Sequence, residues 1–267
     1  MAVAPAPDEI YARAEEEGRR RLGMPPLEQL STAFIAGVTV VFAIAALGVT
    51  EGLTEPDVGA GLARVLGALA FGTGFVFLVV GRSELFTENF FGPVAATVDS
   101  GLRTGLRQLL RLWSFTLALN LVGGALLVAV LTVEGALPAG APEALDGVAD
   151  EIAAKSAAAT LARAVLAGAL LTLLSYLLHA VDSVLGRIAV TYMAGFLVAL
   201  GPFDHVVVSA LHLLFGLWHE AAVGWGDLAA DLGLATAGNL VGGVLLMTLT
   251  HTAQVRGARG STDVTAG

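Results

Sequence analysis

The sequence predicts an all-α membrane protein with six transmembrane helices in two inverted repeats of three. Composition is the first observation, since 56% of the residues are apolar and only 14% are charged, against about 25% charge in a soluble domain. An internal repeat is the second, because the string Asn-Leu-Val-Gly-Gly at residues 120–124 recurs at 239–243. Most of the chain therefore faces lipid or other helices, and it divides into two related halves.

Six stretches are long enough to span a bilayer, whose hydrocarbon core requires about 20 apolar residues in a helix. They lie at about 30–50, 60–82, 106–132, 157–180, 185–203 and 229–251. The transmembrane domain is predicted to cover residues 30–252, with repeats at 30–132 and 157–251. Three spans in each repeat is an odd number, so the second repeat is upside down relative to the first.

The two ends of the chain carry the remaining segments. Residues 1–29 place Ile10, Ala14 and Leu22 among charged residues, which predicts an amphipathic helix along the membrane surface and not a signal peptide. Residues 253–267 are predicted to be a disordered tail. The chain has no cysteine, which excludes disulfides and cysteine metal sites. The net charge of −9 comes from tails and loops and gives no argument for a nucleic-acid partner. We also expect no cofactor and no metal.

A polar break follows the second span of each repeat. Residues 84–89 read Glu-Leu-Phe-Thr-Glu-Asn, and residues 203–205 read Phe-Asp-His. The apolar segments at 84–98 and 205–218 are too short or too polar to span alone, so they are predicted to be second halves of interrupted helices. Non-helical backbone persists at membrane depth only where protein or a water-filled cavity satisfies it. The two breaks are therefore expected to face each other near the midplane, as in a channel or transporter.

Basic residues predict the orientation, because cytoplasmic loops carry an excess of arginine and lysine. With six spans, the following arginines fall on one side: Arg13, Arg19, Arg20, Arg21, Arg103, Arg107, Arg111, Arg187, Arg256 and Arg259. The loops assigned to the opposite side are rich in Glu and Asp. Both termini are therefore predicted to be cytoplasmic, in an integral protein of a prokaryotic cytoplasmic membrane.

Two motifs resemble those of the formate/nitrite transporter family. Residues 81–89, Gly-Arg-Ser-Glu-Leu-Phe-Thr-Glu-Asn, resemble the family signature, and residues 201–205, Gly-Pro-Phe-Asp-His, resemble its Gly-Phe-Glu-His motif with an inserted proline. The resemblance covers about residues 28–252. It implies an aquaporin-like fold with helices two and five broken, and a homopentamer in membrane lipid. The implied substrate is a small ion, the monovalent anion of a weak acid such as formate or nitrite.

The resemblance also implies a set of pore residues. His205 matches the central pore histidine, and Thr87 matches the threonine of the first broken loop. Lys155, the only lysine in the chain, fits a family lysine before span four. Thr172 stands where the family usually has asparagine. The motifs also contribute Glu84 and Asp204 to the predicted pore residues. The resemblance further implies two apolar constrictions of the pore, one fitted by Phe71, Phe196 and Leu197 and the second by Leu85 and Phe86.

These residue types suit the passage of an anion through an apolar region. Desolvating a charge is costly, so a cation such as Lys155 can attract the anion and a proton donor can neutralise it. His205 is the candidate donor, directly or through water, because histidine titrates nearest to physiological pH. Asn120 and Asn239 can hydrogen-bond free backbone at the breaks. Alternatively, their strings serve only to bring helices close through small residues.

Two departures from the family pattern leave an alternative open. Glu88 adds a carboxylate beside the broken loop, and Ser209 replaces an expected asparagine. A carboxylate at a pore mouth favours cations or neutral molecules, so the same fold with altered selectivity is the alternative function. An aquaporin is not favoured, because paired Asn-Pro-Ala boxes are absent. An intramembrane enzyme is not favoured either, because only Asp204, His205 and Ser209 suggest a catalytic triad.

Overall fold

The computed structural model describes the backbone of residues 4–100 and 102–265, and it describes side chains apart from residues 99–104 and 259–265. Arg103 and Arg259 therefore lie outside the described side chains. The helices are α1 Pro7–Leu22, α2 Pro26–Val58, α3 Ala60–Val80, a 3₁₀ helix Phe86–Phe90, α4 Gly92–Ser100, α5 Leu102–Leu131, α6 Ala141–Ala153, α7 Ala157–Ala180, α8 Val184–Leu200, α9 Val206–Trp218, α10 Trp225–Leu240, a π-helical segment Val241–Thr248 and α11 Leu249–Thr265. The protein is all-helical over this range.

Five helices in the described part of the chain are long and apolar enough to cross a membrane. They are Pro26–Val58, Ala60–Val80, Gly105–Leu131, Ala157–Ala180 and Trp225–Ala258. The remaining predicted span corresponds to α8, which is apolar but only 17 residues long. At 1.5 Å of rise per residue it is about 26 Å long, shorter than the roughly 30 Å core of a bilayer. The count of six spans therefore stays a prediction.

Both predicted interruptions are present in the structure. In the first, residues 81–85 between α3 and the 3₁₀ helix are not helical. In the second, residues 201–205 between α8 and α9 are not helical. Arg82 turns the first break with a positive φ of 54°, a conformation that is uncommon for a residue other than glycine. Pro202 follows α8 at the second break, where it disfavours helical backbone in the residue before it.

Each half of the chain has a short amphipathic helix before its first long helix, α1 in the first half and α6 in the second. α1 buries Ile10, Ala14 and Gly18 against the protein, and α6 buries a set with the same spacing of four, at residues 141, 145 and 149. α1 lies across α4, where Gly18 meets the backbone of Gly92. α6 lies across α9, where Ala149 meets Gly216. We call α1 and α6 the cap helices.

α6 was not predicted from the sequence, and neither were the protein contacts of α1. α6 has 13 residues and an acidic outer face, so it is too short and too charged to be identified as a membrane segment. The apolar stripe of α1 packs on protein, including Phe91 and Tyr176, and its position along the membrane surface stays a prediction. Each of these helices packs across the second half of an interrupted helix, α1 on α4 and α6 on α9, and this packing holds it in place.

The C-terminal segment also differs from its prediction. α11 extends to Thr265, whereas a disordered tail is predicted from residue 253. Val255 is only 3% exposed and packs with Ile10 and Tyr11 of α1, which explains why the first turns of this segment are helical. Residues 266 and 267 lie outside the described residues.

Candidate functional site

The two breaks meet at a hydrogen bond between Thr87 and His205. Thr87 Oγ1 lies 2.8 Å from His205 Nε2, and both side chains are buried. His205 also caps α9, because its Nδ1 accepts the N–H of Val208 at 3.3 Å. A nitrogen that accepts a hydrogen bond carries no proton, so in the neutral ring Nε2 carries it and donates to Thr87.

Asn120 fastens the first break. Its Oδ1 accepts the N–H of Phe86 at 2.9 Å, and its Nδ2 lies 3.0 Å from the carbonyl of Glu84 and 2.7 Å from that of Ala33. The Phe86 N–H and the Glu84 carbonyl are backbone groups that the interrupted helix leaves without helical partners, whereas Ala33 belongs to the continuous helix α2, so Asn120 ties the break to α2.

Asn239 fastens the second break in the same way. Its Oδ1 accepts the N–H of Val206 at 3.0 Å, and its Nδ2 lies 2.9 Å from the carbonyl of Asp204 and 2.8 Å from that of Ala164. The repeated string therefore builds one arrangement twice, once in each half of the chain.

Close helix packing accompanies these hydrogen bonds. Gly37 lies against the backbone of Asn120, and Gly168 lies against the backbone of Asn239, so a Cβ at either glycine would overlap it. The two alternatives for the asparagine strings are therefore both present, since the helices must approach closely for the amide side chains to reach across.

A cavity of about 620 Å³ lies on the α1 side of the Thr87–His205 pair. Glu84 forms an ion pair with Arg21 at 2.9 Å and a longer one with Arg20 at 3.5 Å. Glu88 lines the same cavity, and its carboxylate has no ion-pair partner among the described side chains. Its carbonyl lies within 3.4 Å of Arg21. The cavity therefore mixes basic groups from α1 with carboxylates from the break.

A cavity of about 70 Å³ lies on the α6 side and includes His205 in its lining. Asp204, beside it, forms an ion pair with Lys155 and another with Arg163 at 3.3 Å. Lys155 is therefore paired, and the second cation, Arg163, was not predicted from the sequence. Arg163 lies in the second turn of α7, the helix that Lys155 precedes, and an arginine so near the end of a span is the signal that could have revealed it. Two cations on one carboxylate leave an excess of one positive charge.

The predicted constriction residues occupy different surroundings. Phe71 is fully buried and lines the small cavity. Val198, 5% exposed, lines it beside Phe71, whereas Leu197 is 40% exposed and Phe196 is half-buried. Successive side chains on a helix point about 100° apart. Val198 therefore faces the cavity while its neighbour Leu197 faces outward.

The second predicted constriction, Leu85 and Phe86, is buried and lines neither of the two cavities. The ring of Phe86 packs edge-on against Phe90, with centroids 4.9 Å apart. Thr172 is buried beside Gly243 and lines neither of the two cavities, and its Oγ1 has no hydrogen-bond partner in the described structure. The structure therefore does not bring Thr172 together with the other site residues.

Ser209 contacts backbone and carboxylate instead of the histidine ring. Its Oγ lies 3.1 Å from the carbonyl of His205 and 2.8 Å from Asp231 Oδ2. The sequence analysis missed Asp231 as a site residue because it counted it among the acids of a loop. This geometry does not form the catalytic triad considered from the sequence, since both ring nitrogens of His205 are engaged elsewhere.

A comparison with protein families gives a match to the formate/nitrite transporter model over residues 8–253. The chain belongs to the formate/nitrite transporter family. It is therefore a transport protein of the membrane and not an enzyme.

Relatives of this family member come from bacteria, archaea and Plasmodium. The chain is 24% identical over 248 residues to the inner membrane protein YfdC of Escherichia coli (strain K12), covering 92% of this chain and 78% of the relative. It is 30% identical over 235 residues to a probable formate transporter of Methanothermobacter thermautotrophicus, covering 80% and 84%.

A solved structure of the family shares the fold. A pentameric formate channel with formate bound superimposes with a TM-score of 0.71 at 18% identity, covering 85% of this chain and 96% of that one. The two cap helices of the present chain line different cavities, with the Thr87–His205 pair between them, as an inverted repeat requires.

Proposed function

We propose that this protein conducts small monovalent weak-acid anions, of the formate or nitrite type, along a path through the Thr87–His205 contact. The observation that carries the proposal is that contact: a 2.8 Å hydrogen bond that joins the two broken helices between a cavity on each side. The relatives described as a probable formate transporter and as a formate channel support this substrate class.

Basic side chains line one part of the small cavity. Lys155 and Arg163 share one carboxylate, Asp204, so they can attract an anion before it reaches the apolar residues, while Arg64, Glu51 and Glu151 bring the sum over the lining to zero. Beyond them, a bare charge is costly to desolvate, and protonation of the anion lowers that cost because a carboxylic acid becomes harder to ionise in a low dielectric.

His205 and Thr87 then connect permeation to protonation. In the neutral ring His205 donates to the Thr87 hydroxyl, and that hydroxyl can turn its own hydrogen toward the permeating solute. A protonated His205, whose Nδ1 no longer accepts the Val208 N–H, can supply a proton to the anion. The ring then takes up a proton from the entry side, and the neutral acid releases its proton on the far side. This assignment makes His205 the residue on which the pH dependence of transport depends.

The proposed assembly is a homopentamer in lipid with one path in each subunit. The pentameric formate channel supports this oligomer, and the inner membrane relative supports the cytoplasmic membrane of a prokaryote. Six spans, with α8 as the short fifth, place both termini on the cytoplasmic side by the arginine distribution.

Flux into proteoliposomes tests the proposal. We expect protein-dependent formate uptake at pH 5 and pH 7.5, with a different rate at each pH. His205→Ala should lower the rate at least tenfold and remove the pH dependence, whereas the control His251→Ala should change neither, because His251 stacks on Tyr176 outside both cavities. An unchanged pH profile in His205→Ala would refute the role of His205.

Glu88 supports a second candidate, the same path with selectivity for cations or small neutral solutes. Its carboxylate lines the large cavity without an ion-pair partner among the described side chains, and a carboxylate in a vestibule repels anions. The same vesicles should be tested with potassium and ammonium. Cation flux of the wild-type protein that is lost in Glu88→Gly would establish this candidate, and formate uptake without cation flux by the wild-type protein would exclude it.

A further inference from the structure

A second histidine lines the path beyond His205. His212 stands seven residues after His205 on α9, which at 3.6 residues per turn places the two side chains on the same face two turns apart. Both line the cavity of about 70 Å³, and Ser209 lies between them in that lining. His212 therefore belongs to the wall of the path on the α6 side.

The ring of His212 is buried with a nitrogen that has no partner. The side chain is 3% exposed, and its Nδ1 forms no hydrogen bond in the described structure. Buried polar atoms are usually hydrogen-bonded, and an unpaired one requires an explanation such as a functional role or a bound solute. A ring in a cavity wall is able to bind what enters the cavity.

His205 contrasts with His212 in this respect. Both of its nitrogens are engaged, Nδ1 by the Val208 N–H and Nε2 by the Thr87 hydroxyl. A new hydrogen bond at His205 must displace one of these. His212 has no such commitment at Nδ1, so it can bind a solute without breaking the cap of α9.

The cavity beside His212 holds basic side chains that an anionic solute entering from the α6 side can meet. Lys155 and Arg163 lie in its lining and share one carboxylate, Asp204. Glu51 from α2, and Arg64 and Glu151 from α3 and α6, complete the charged lining, in which three basic and three acidic side chains balance. Arg64 and Glu151 are joined by an ion pair at 2.8 Å, so Glu151 is neutralised locally.

We propose that His212 is a second solute-binding residue of this path, which hydrogen-bonds the permeating anion on the α6 side of His205. The inference rests on the proposed function, because it assumes that a weak-acid anion takes this route. In this proposal His212 binds the anion at the α6-side entrance. Thr87 and His205 control its passage between the two cavities.

Formate uptake into proteoliposomes tests the role of His212. We expect His212→Gln to raise the half-saturating formate concentration about tenfold, since one hydrogen bond to a charged solute is lost, with a smaller effect on the maximal rate. His251→Gln is the matched control and should change neither value. An unchanged half-saturating concentration in His212→Gln would overturn the inference, whereas absence of formate uptake by the wild-type protein would overturn the proposed function itself.

A binding measurement on the wild-type protein covers the case in which His212→Gln does not fold. The chain has five histidines, so ring-nitrogen NMR signals can be assigned by removing His179, His219 and His251 one at a time. Adding formate should move the signal of His212, which is the one of the two remaining signals that persists in His205→Ala. A His212 signal that does not move would contradict the proposal.

Discussion

Thr87 and His205 hold each other in place where neither side chain reaches solvent. Thr87 gives the ring of His205 its only side-chain hydrogen-bond partner in the described structure, and the ring in turn caps α9. Loss of the threonine hydroxyl therefore affects both the break in repeat one and the start of a helix in repeat two.

We predict that Thr87→Val lowers the free energy of unfolding by about 1–3 kcal/mol, the cost of leaving a buried ring N–H unpaired. Thermal unfolding of the purified protein in detergent measures the change. Thr39→Val is the control, because the Thr39 hydroxyl bonds only to a carbonyl of its own exposed helix, and it should stay within about 0.5 kcal/mol. Equal effects of the two substitutions would disprove the bridging role.

The sequence predicted individual site residues correctly where a motif and its chemistry pointed to the same position. It did not predict which side chains face the site where the rotation of a helix determines this. Thr87 and His205 are found together because a polar break at membrane depth requires a partner. Leu197 and Val198 differ only by their angle around α8, which no motif specifies. Arg163 and Asp231 became site residues through contacts with Asp204 and Ser209, and such contacts are properties of the folded chain.

The cap helices determine what surrounds each cavity at the scale of elements. α1 contributes the basic side of the large cavity, and α6 contributes part of the lining of the small one. The spans and breaks could be predicted from apolar length and polar interruption. α6 could not, because a 13-residue amphipathic helix has no length or hydropathy signal of its own.

We predict that Gly18→Leu displaces α1, because a Cβ at this position would overlap the carbonyl of Gly92. Trypsin should then cleave α1 at its arginines at least several-fold faster than in the wild type. The control Gly147→Leu on α6 meets no atom within 4 Å and should leave the cleavage rate unchanged. Equal cleavage rates of Gly18→Leu and wild type would contradict this packing.

Glu17 makes the contribution of α1 depend on pH. Burial by itself raises the pKa of Glu17, but the hydrogen bond and charge of Arg20 and the charge of Arg21 outweigh it and lower the pKa from 4.5 to about 2. A lowered pKa means that ionised Glu17 stabilises the fold fully above pH 4.5, and that this contribution is lost as the pH falls toward 2.

Glu17→Gln should therefore lower the unfolding midpoint at pH 7 and have no effect near pH 2. The expected loss at pH 7 is about 0.5–1 kcal/mol, because the pair is partly exposed and solvent screens it. Thermal unfolding across this pH range measures it. A loss of equal size at both ends of the range would assign the effect to packing and not to charge.

The whole molecule combines two related halves whose breaks meet in the interior. The repeated asparagine string in the sequence predicted two related halves. In the structure, the asparagine of each copy forms the same three hydrogen bonds. The sequence did not predict the difference between the halves, where the second copy continues into a π-helical segment that packs against Phe90.

Orientation in the membrane is a prediction for the whole molecule. The chain has no cysteine, so single cysteines can report the side on which each position lies. In intact cells, a membrane-impermeant maleimide should label Glu220→Cys, and should label Ala6→Cys only after the cells are opened. The reverse pattern would mean that the arginine distribution does not set the topology of this chain.

The turn between α5 and α6 separates two halves of the chain that contain the same kinds of element. Gly135 and Gly140 there adopt positive φ angles, and a complete set of cap helix, span, broken span and span lies on each side of the turn. A gene of half this length would encode every kind of element found in the full chain. Two copies of that product, inserted in opposite directions, would bring their breaks face to face, so fusion at the glycine turn would join a pre-existing antiparallel dimer into one polypeptide.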